Sequence, residues 1–290
     1  MTLTEATTRT LGVPGATLTY DVRSNDATTE PVLLLIGSPM GAAGFGSLAG
    51  HFTDRTTVTY DPRGVERSTK PDPTSQSTAD EHADDLHRII QEVGGPVDLF
   101  ASSGGAVNAL TLVSKHPEDV RTVVAHEPPI LAVLPDRDAA RAASRAIHET
   151  YMHSGFGAGM AHFIALASHK GPFADDWADQ PAPDPATFGL PTEDDGSRDD
   201  PLLGQNVESS TEPQLDFDAI RSAPTRVIVA AGAESEGELT HRAALAVAER
   251  LRTEPVIFPS HHGGFLGGEY GQTGDPDAFA AKLREVLAQA

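Results

Sequence analysis

The stretch Val97-Asp98-Leu99-Phe100-Ala101-Ser102-Ser103-Gly104-Gly105 decides the fold of this chain. Its first four residues form a short, mainly apolar run bounded by glycine and proline, which predicts a buried strand. The residues from Ala106 to Val113 are typical of a helix. Ser103 therefore stands at a sharp turn between strand and helix, flanked by small residues, which is the pattern of a nucleophile elbow. Such a glycine-rich turn can also hold phosphate at a helix N-terminus, so the stretch alone leaves two interpretations open.

Composition narrows the classes of protein to be considered. A chain of 290 residues fits one large α/β domain, or one domain with an insertion. The absence of cysteine excludes disulfides, thiolate metal sites and a cysteine nucleophile. The net charge of −21 argues against binding to nucleic acid or to anionic lipid. Because no secretory signal and no run of about 20 apolar residues is visible, we expect a soluble, cytoplasmic protein without a membrane partner.

Short apolar runs alternate with helical patterns, which predicts an α/β fold with a doubly wound, mainly parallel sheet. Thr78 begins a capping box, and the helix that follows ends before Gly94. A closing helix is predicted from Pro276 to Leu287. The predicted strands are Leu18–Val22, Val32–Ile36, Val58–Tyr60, Val97–Phe100, Val123–Ala125, Val227–Ala231 and Val256–Phe258. The first of them has the alternation of apolar and polar residues that is typical of an edge strand.

One interval interrupts this alternation. About a hundred residues separate the strand ending near Ala125 from the strand starting at Val227, and none of them predicts a strand. The first part, Asp136 to Lys170, has a helical composition, whereas Gly171 to Pro213 is rich in Pro, Asp and Gly and indicates a loop. An insertion at this point lies above the carboxyl ends of the strands, where a lid over a site is expected.

Four segments in this order resemble motifs of the α/β-hydrolase family. They are Ile36-Gly37-Ser38-Pro39-Met40, Asp61-Pro62-Arg63-Gly64-Val65-Glu66-Arg67-Ser68, the elbow at Ser103, and Phe258-Pro259-Ser260-His261-His262-Gly263-Gly264-Phe265. Three positions in these motifs depart from the family pattern, since Ile36 replaces a histidine, Glu66 replaces a glycine and Ala101 replaces the first glycine of the elbow. The resemblance implies an α/β-hydrolase core formed by residues 1–129 and 219–290. It also implies a helical cap, residues 130–218, inserted after strand six.

The resemblance assigns a chemical role to several residues. Ser103 is the predicted nucleophile, and it needs a base because a neutral hydroxyl is a weak nucleophile. His262 is the predicted base, whereas we expect the adjacent His261 to pack or to hydrogen-bond nearby. The backbone N–H groups of Ser38 and Gly104 are the predicted oxyanion hole, to which the Ser38 hydroxyl could add a donor.

Two further residues follow the first of these motifs. Met40 and Phe45 are predicted walls of a substrate pocket, although core packing is an equally good interpretation of Phe45. The histidines of the predicted cap lack the spacing of a zinc pair, so we expect no metal and no other cofactor.

The triad acid is where the chain departs from the family. Its usual position follows the seventh strand, where the chain has Gly232-Ala233-Glu234-Ser235-Glu236, with Ser235 in the place of the acid. Glu234 is one candidate. Glu127, just past the sixth strand and before two prolines, is the other, because some members of the family that the chain resembles, such as certain haloalkane dehalogenases, carry their acid at the end of that strand. Both remain open on sequence alone.

The resulting hypothesis is a cofactor-independent serine hydrolase that cleaves a carboxylic ester or lactone of small to medium size through an acyl-enzyme on Ser103. A carbon–carbon bond hydrolase and a perhydrolase or haloperoxidase-like enzyme are alternatives on the same scaffold. A catalytically silent ligand-binding protein is the alternative from a different class, because a fold alone does not guarantee activity. No feature of the sequence indicates an oligomeric state.

Overall fold

A computed structural model describes residues 5–289 and shows one eight-stranded sheet in the order β1-β2-β4-β3-β5-β6-β7-β8. All strands from β3 onward pair in parallel, and β1 and β2 pair antiparallel. The predicted mainly parallel sheet is therefore confirmed. The strands are β1 Thr7–Val13, β2 Ala16–Arg23, β3 Leu33–Ile36, β4 Thr57–Asp61, β5 Val97–Ser102, β6 Val120–His126, β7 Arg226–Gly232 and β8 Val256–Phe258.

The edge of the sheet differs from the prediction. The strand predicted at Leu18–Val22, which is β2, lies between β1 and β4 and is not an edge. The true edge strand β1 has the sequence TTRTLGV and is largely exposed. Because its residues are mostly polar and bury little surface, they carry no periodic apolar signal by which a strand could be predicted.

Helices cover both faces of the sheet, as the doubly wound prediction requires. The helices α2, α3, α6 and α7 pack on one face, and α1 and α8 pack on the other. The Thr78 capping box of α2 is formed in full, since the Thr78 side chain accepts from Glu81 and the Glu81 side chain accepts from Thr78. The helices are α1 Gly46–Gly50, α2 Ala79–Val93, α3 Gly104–Lys115, α4 Arg137–Ala167, α5 Val207–Thr211, α6 Phe217–Ser222, α7 Leu239–Leu251 and α8 Pro276–Ala288.

The segment between β6 and β7 contains α4, α5 and α6 but no strand. Gly155, with φ of 82°, interrupts α4. An apolar cluster that includes Ile147, Tyr151 and Leu203 packs this segment against Leu239 of α7. The predicted loop from Gly171 to Pro213 is partly wrong, because a π-helix at Pro201–Asn206 continues into α5. Within residues 5–289, no helix is both long and apolar enough to cross a membrane.

Candidate active site

The register of the sheet places the candidate residues together at the carboxyl ends of its parallel strands. Ser102 pairs with His126 at the ends of β5 and β6, and Gly232 pairs with Phe258 at the ends of β7 and β8. Because these strands are parallel and adjacent, the loops that follow them meet outside the carboxyl edge of the sheet. Ser103, Glu127 and the loop containing His262 begin at this edge.

Ser103 occupies a strained turn. Its φ of 57° and ψ of −129° lie outside the regions that residues with a side chain ordinarily adopt. The turn is fixed by a hydrogen bond of 2.9 Å from the Ser103 N–H to the His126 carbonyl, and by the start of α3 at Gly104. The hydroxyl is thus set directly before the N–H groups at the start of a twelve-residue helix.

A small residue is required two positions after Ser103. A Cβ placed on Gly105 would lie 2.8 Å from both Cα and the carbonyl carbon of Gly37, which is too close for any side chain. The backbone loop after β3 therefore packs directly on the N-terminus of α3. The Ser38 hydroxyl in that loop is buried and has no hydrogen-bond partner among residues 5–289. Buried hydroxyl groups normally form hydrogen bonds, so the Ser38 hydroxyl is available to donate one to a ligand beside the elbow.

His262 is held by a carboxylate that is distant in sequence. Its Nδ1 donates to Oε2 of Glu127 across 2.6 Å, and its side chain is 36% exposed. Because Nδ1 is occupied, Nε2 is the nitrogen left to exchange a proton with another group. The Glu127 side chain is fully buried.

The Glu127 carboxylate accepts hydrogen bonds on both oxygens. Oε1 accepts from the Gly232 N–H at 2.8 Å and from the Ser235 hydroxyl, and Oε2 accepts from the Thr240 hydroxyl at 3.1 Å as well as from His262. Burial alone would raise the pKa of Glu127, but the hydrogen bond from His262, helped by its charge and by Ser235, lowers it well below its ordinary range. Glu127 is therefore ionised at neutral pH although it is buried.

The other candidate acid points elsewhere. The Glu234 side chain is exposed, and its nearest described partner is the Ser260 hydroxyl at 3.5 Å. Ser235, in the position where the family usually has its acid, is buried and donates to Glu127. The structure thus brings Glu127, and not Glu234, to the imidazole of His262.

The remaining sequence candidates have distinct environments. Phe45 is fully buried and stacks on Phe265 with ring centroids 5.3 Å apart, so it contributes to the core and offers no surface to a ligand. Met40 is half-buried on the loop after β3. His261 accepts from the Gly263 N–H through Nδ1 at 3.0 Å, and its Nε2 lies 3.2 Å from the Thr273 carbonyl.

Within residues 5–289, two groups of side chains have ligand atoms close enough together for a metal ion. In the first, His126, Glu127 and His262, both carboxylate oxygens are already occupied by hydrogen-bond donors. The second contains Asp119 with two histidines whose rings stack 4.0 Å apart at 17°, and its members are His87, His116 and Asp119. Nearly parallel rings direct their lone pairs in parallel planes instead of toward one point. We therefore assign a metal to neither group.

His126 lies behind the candidate triad. It is fully buried among phenylalanine rings, and its ring is 5.9 Å from that of His262 at an interplanar angle of 25°. Burial lowers the pKa of His126 to about 4, because a charged imidazole is poorly solvated there. His126 is therefore neutral at pH 7.

Burial makes the stability of the protein depend on pH. His82, buried beneath the inserted segment, also has its pKa lowered by burial to about 4. Because both folded-state pKa values lie below the unfolded value of about 6.5, the unfolded state binds more protons between these limits. We expect the free energy of unfolding to fall by about 2 kcal/mol per histidine between pH 7.5 and pH 5, and to be insensitive to these groups above pH 7.5.

Urea unfolding at the two pH values measures this effect. The His82→Gln variant keeps a donor for Asn206, whose Oδ1 lies 3.0 Å from Nε2 of His82, but it cannot titrate. Its loss of stability between pH 7.5 and pH 5 should be smaller than that of the wild type by about 2 kcal/mol. An equal loss in both proteins would show that His82 is not the titrating group.

Comparison with known proteins identifies the family of the chain. The model of the family described as "alpha/beta hydrolase fold" matches residues 30–176. The chain is also 30% identical over 263 residues to the uncharacterized hydrolase YraK of Bacillus subtilis (strain 168), covering 88% of this chain and 89% of that protein. The chain belongs to the alpha/beta hydrolase fold family. The predictions of the fold and of a hydrolase are confirmed at this level.

Two further similarities carry less information on activity. A 2-(acetamidomethylene)succinate hydrolase of Mesorhizobium japonicum is 34% identical over 111 residues, which is 37% of this chain and 38% of that enzyme. A crystal structure of E-2-(acetamidomethylene)succinate hydrolase superimposes with a TM-score of 0.64 at 21% identity, covering 98% of this hydrolase and all of that chain. At this identity the structural likeness concerns the fold.

Sequence reasoning did not find all of the residues around Glu127. Ser235, Thr240 and His126 contact the candidate triad or its acid, yet none of them was predicted to do so. Ser235 could have been found from the sequence, because a serine at the usual position of the acid suggests that the acid lies elsewhere and accepts a hydrogen bond from this hydroxyl. Thr240 and His126 could not have been found, since their position depends on how α7 and β6 pack.

Proposed function

We propose that this alpha/beta hydrolase cleaves a small carboxylic ester or lactone through an acyl-enzyme, without a cofactor. The observation that carries the proposal is the hydrogen bond from His262 to the buried, ionised Glu127, located at the same sheet edge as the strained serine turn. A nucleophile, a base and an acid that orients the base are what acyl transfer requires.

In the first half of the reaction, Oγ of Ser103 attacks the carbonyl carbon of the ester and Nε2 of His262 accepts the hydroxyl proton. The carbonyl oxygen becomes negatively charged, and the N–H groups of Gly104 and Ser38 stabilise it. When the intermediate collapses, the bond to the alcohol oxygen breaks and His262 returns the proton to the leaving alcohol. Glu127 stabilises the imidazolium between these two transfers.

In the second half, a water molecule attacks the acyl carbon and His262 accepts its proton. The tetrahedral intermediate collapses to release the carboxylic acid, and the proton returns to Ser103. Neutral His126, buried behind His262, offers no competing positive charge in this environment. A lactone follows the same steps, except that its alcohol remains attached to the acid.

We assign residues 1–129 and 219–290 to the hydrolase core and residues 130–218 to a cap. Support comes from the position of the inserted segment after β6 and from its own apolar cluster against α7. Met40 remains a proposed pocket residue, whereas Phe45 is removed from the pocket. The net charge of −21 disfavours anionic substrates, so we propose neutral esters or lactones.

A fluorophosphonate probe tests the proposal. We expect the native protein to be labelled once, with the label mapped by mass spectrometry to Ser103. A panel of p-nitrophenyl esters of graded acyl length, measured beside simple lactones, then identifies the acyl group accepted. A folded protein that is neither labelled nor active on the panel would favour the ligand-binding alternative.

A further inference from the structure

Gly104, which follows the proposed nucleophile, has no side chain, and a residue of the inserted segment occupies the space beside it. A Cβ on Gly104 would lie 2.5 Å from Oγ of Ser210 and 2.6 Å from the carbonyl oxygen of Ser38. The Ser210 hydroxyl therefore lies against the backbone of the residue whose N–H is a proposed oxyanion donor, close to the Ser38 loop that supplies the other.

The Ser210 hydroxyl is free to donate. The residue is 8% exposed, and no hydrogen bond joins its side chain to another residue of the described range 5–289. Ser38, which is 4% exposed, likewise has a hydroxyl without a partner. A buried hydroxyl that lacks a hydrogen bond destabilises a protein by about 1–3 kcal/mol. The Ser38 hydroxyl is such a group, and the Ser210 hydroxyl lies against Gly104, close to the backbone of Ser38. A polar group of a ligand at this position would give the Ser210 hydroxyl a hydrogen-bond partner.

The segment that carries Ser210 is tied to the core on its N-terminal side. His82 of α2 contacts the Asn206 side chain at 3.0 Å, and the Ser77 N–H donates to the Gln205 carbonyl at 3.2 Å. These contacts hold the π-helix Pro201–Asn206, from which α5 continues over the N-terminus of α3.

The C-terminal side of α5 is also fixed. The hydroxyl of Thr211 lies 3.2 Å from that of Ser144 on α4, and Thr211 also donates to the Val207 carbonyl at 2.8 Å. The position of Ser210 is thus determined by contacts on both sides, which is what a group acting on a reacting atom needs.

From this arrangement we propose that Ser210 is a catalytic residue whose hydroxyl donates a hydrogen bond to the acyl oxygen as that oxygen becomes negatively charged. The inference rests on the proposed function and extends it, because the cap then completes the oxyanion site in addition to covering it. The bond strengthens as charge develops, so it stabilises the transition state more than the bound ester.

The matched pair Ser210→Ala and Ser209→Ala tests this proposal. Ser209 is the neighbouring residue on α5, but its hydroxyl donates to the Asn206 carbonyl at 3.2 Å instead of facing the elbow. We expect Ser210→Ala to lower kcat by about 10- to 100-fold on the best ester, with KM within about threefold, since a single oxyanion donor contributes on this order or somewhat more. Ser209→Ala should keep the wild-type kcat.

A boronic acid inhibitor separates a direct role from a structural one. Its tetrahedral adduct with the serine mimics the charged intermediate, so its affinity should fall in Ser210→Ala by the same factor as kcat, while the thermal midpoint stays at the wild-type value. Unchanged kcat in Ser210→Ala, or an equal loss in Ser209→Ala, would overturn the inference. Absence of fluorophosphonate labelling in the wild type would instead overturn the proposed function.

Discussion

Replacing Ser103 by alanine is expected to lower ester hydrolysis by on the order of a million-fold, as the loss of a triad serine does elsewhere. The substitution removes the attacking oxygen and leaves only the binding site and the oxyanion donors. Alanine keeps the Cβ of serine, and the Ser103 side chain makes no capping hydrogen bond to α3, so the substitution adds no strain to the turn with φ of 57° and folding should persist. The measurement is kcat/KM on the best p-nitrophenyl ester, with circular dichroism to verify the fold.

Ser102→Ala is the matched control. Ser102 is buried, and its hydroxyl lies 3.3 Å from Nδ1 of His126, away from the turn. Activity near that of the wild type is expected, together with intact fluorophosphonate labelling at Ser103. If Ser102→Ala were inactive and Ser103→Ala active, the proposed nucleophile would be the wrong serine of the pair.

The sequence predicted most of the fold because its signals are local. The buried strands are continuous apolar runs. The capping box at Thr78 predicts the start of a helix, and α2 begins directly after it in the structure. The π-helix that starts at Pro201 escaped prediction amid polar residues, although Asp200 before a proline is a helix start signal. The edge strand β1 offered no such signal.

The candidate site was less accessible to sequence because its contacts are long-range. Glu127 and Glu234 both follow strands, and sequence could not say which side chain turns toward His262. Glu127 has a φ of 50°, and its contact with His262 joins residues 135 positions apart. Only the tertiary structure shows that Gly232 supplies a backbone donor to Glu127 as well.

Glu127→Gln is expected to lower kcat by about 10⁴-fold, while Glu234→Gln stays near the wild type. The substituted amide keeps the size of the side chain and can still accept from Gly232 and Ser235. Its NH₂ group, however, would face Nδ1 of His262, which must then accept a hydrogen bond. The proton of the neutral imidazole moves to Nε2, where it prevents the ring from accepting the proton of Ser103.

The pH dependence of activity in the Glu127→Gln variant tests the same assignment independently. The hydrogen bond from His262 lowers the pKa of Glu127 well below the ordinary range, so the wild type keeps a carboxylate there at every pH from 5 to 9, whereas glutamine carries no charge at any pH. The activity lost in Glu127→Gln should therefore not be recovered at any pH between 5 and 9, although the circular dichroism spectrum remains that of the wild type.

A large loss in Glu234→Gln, with Glu127→Gln near the wild type, would reverse the assignment. If both single variants retained activity, the double variant would distinguish two acids that replace each other, which predicts an inactive protein, from a serine–histidine dyad, which predicts an active one.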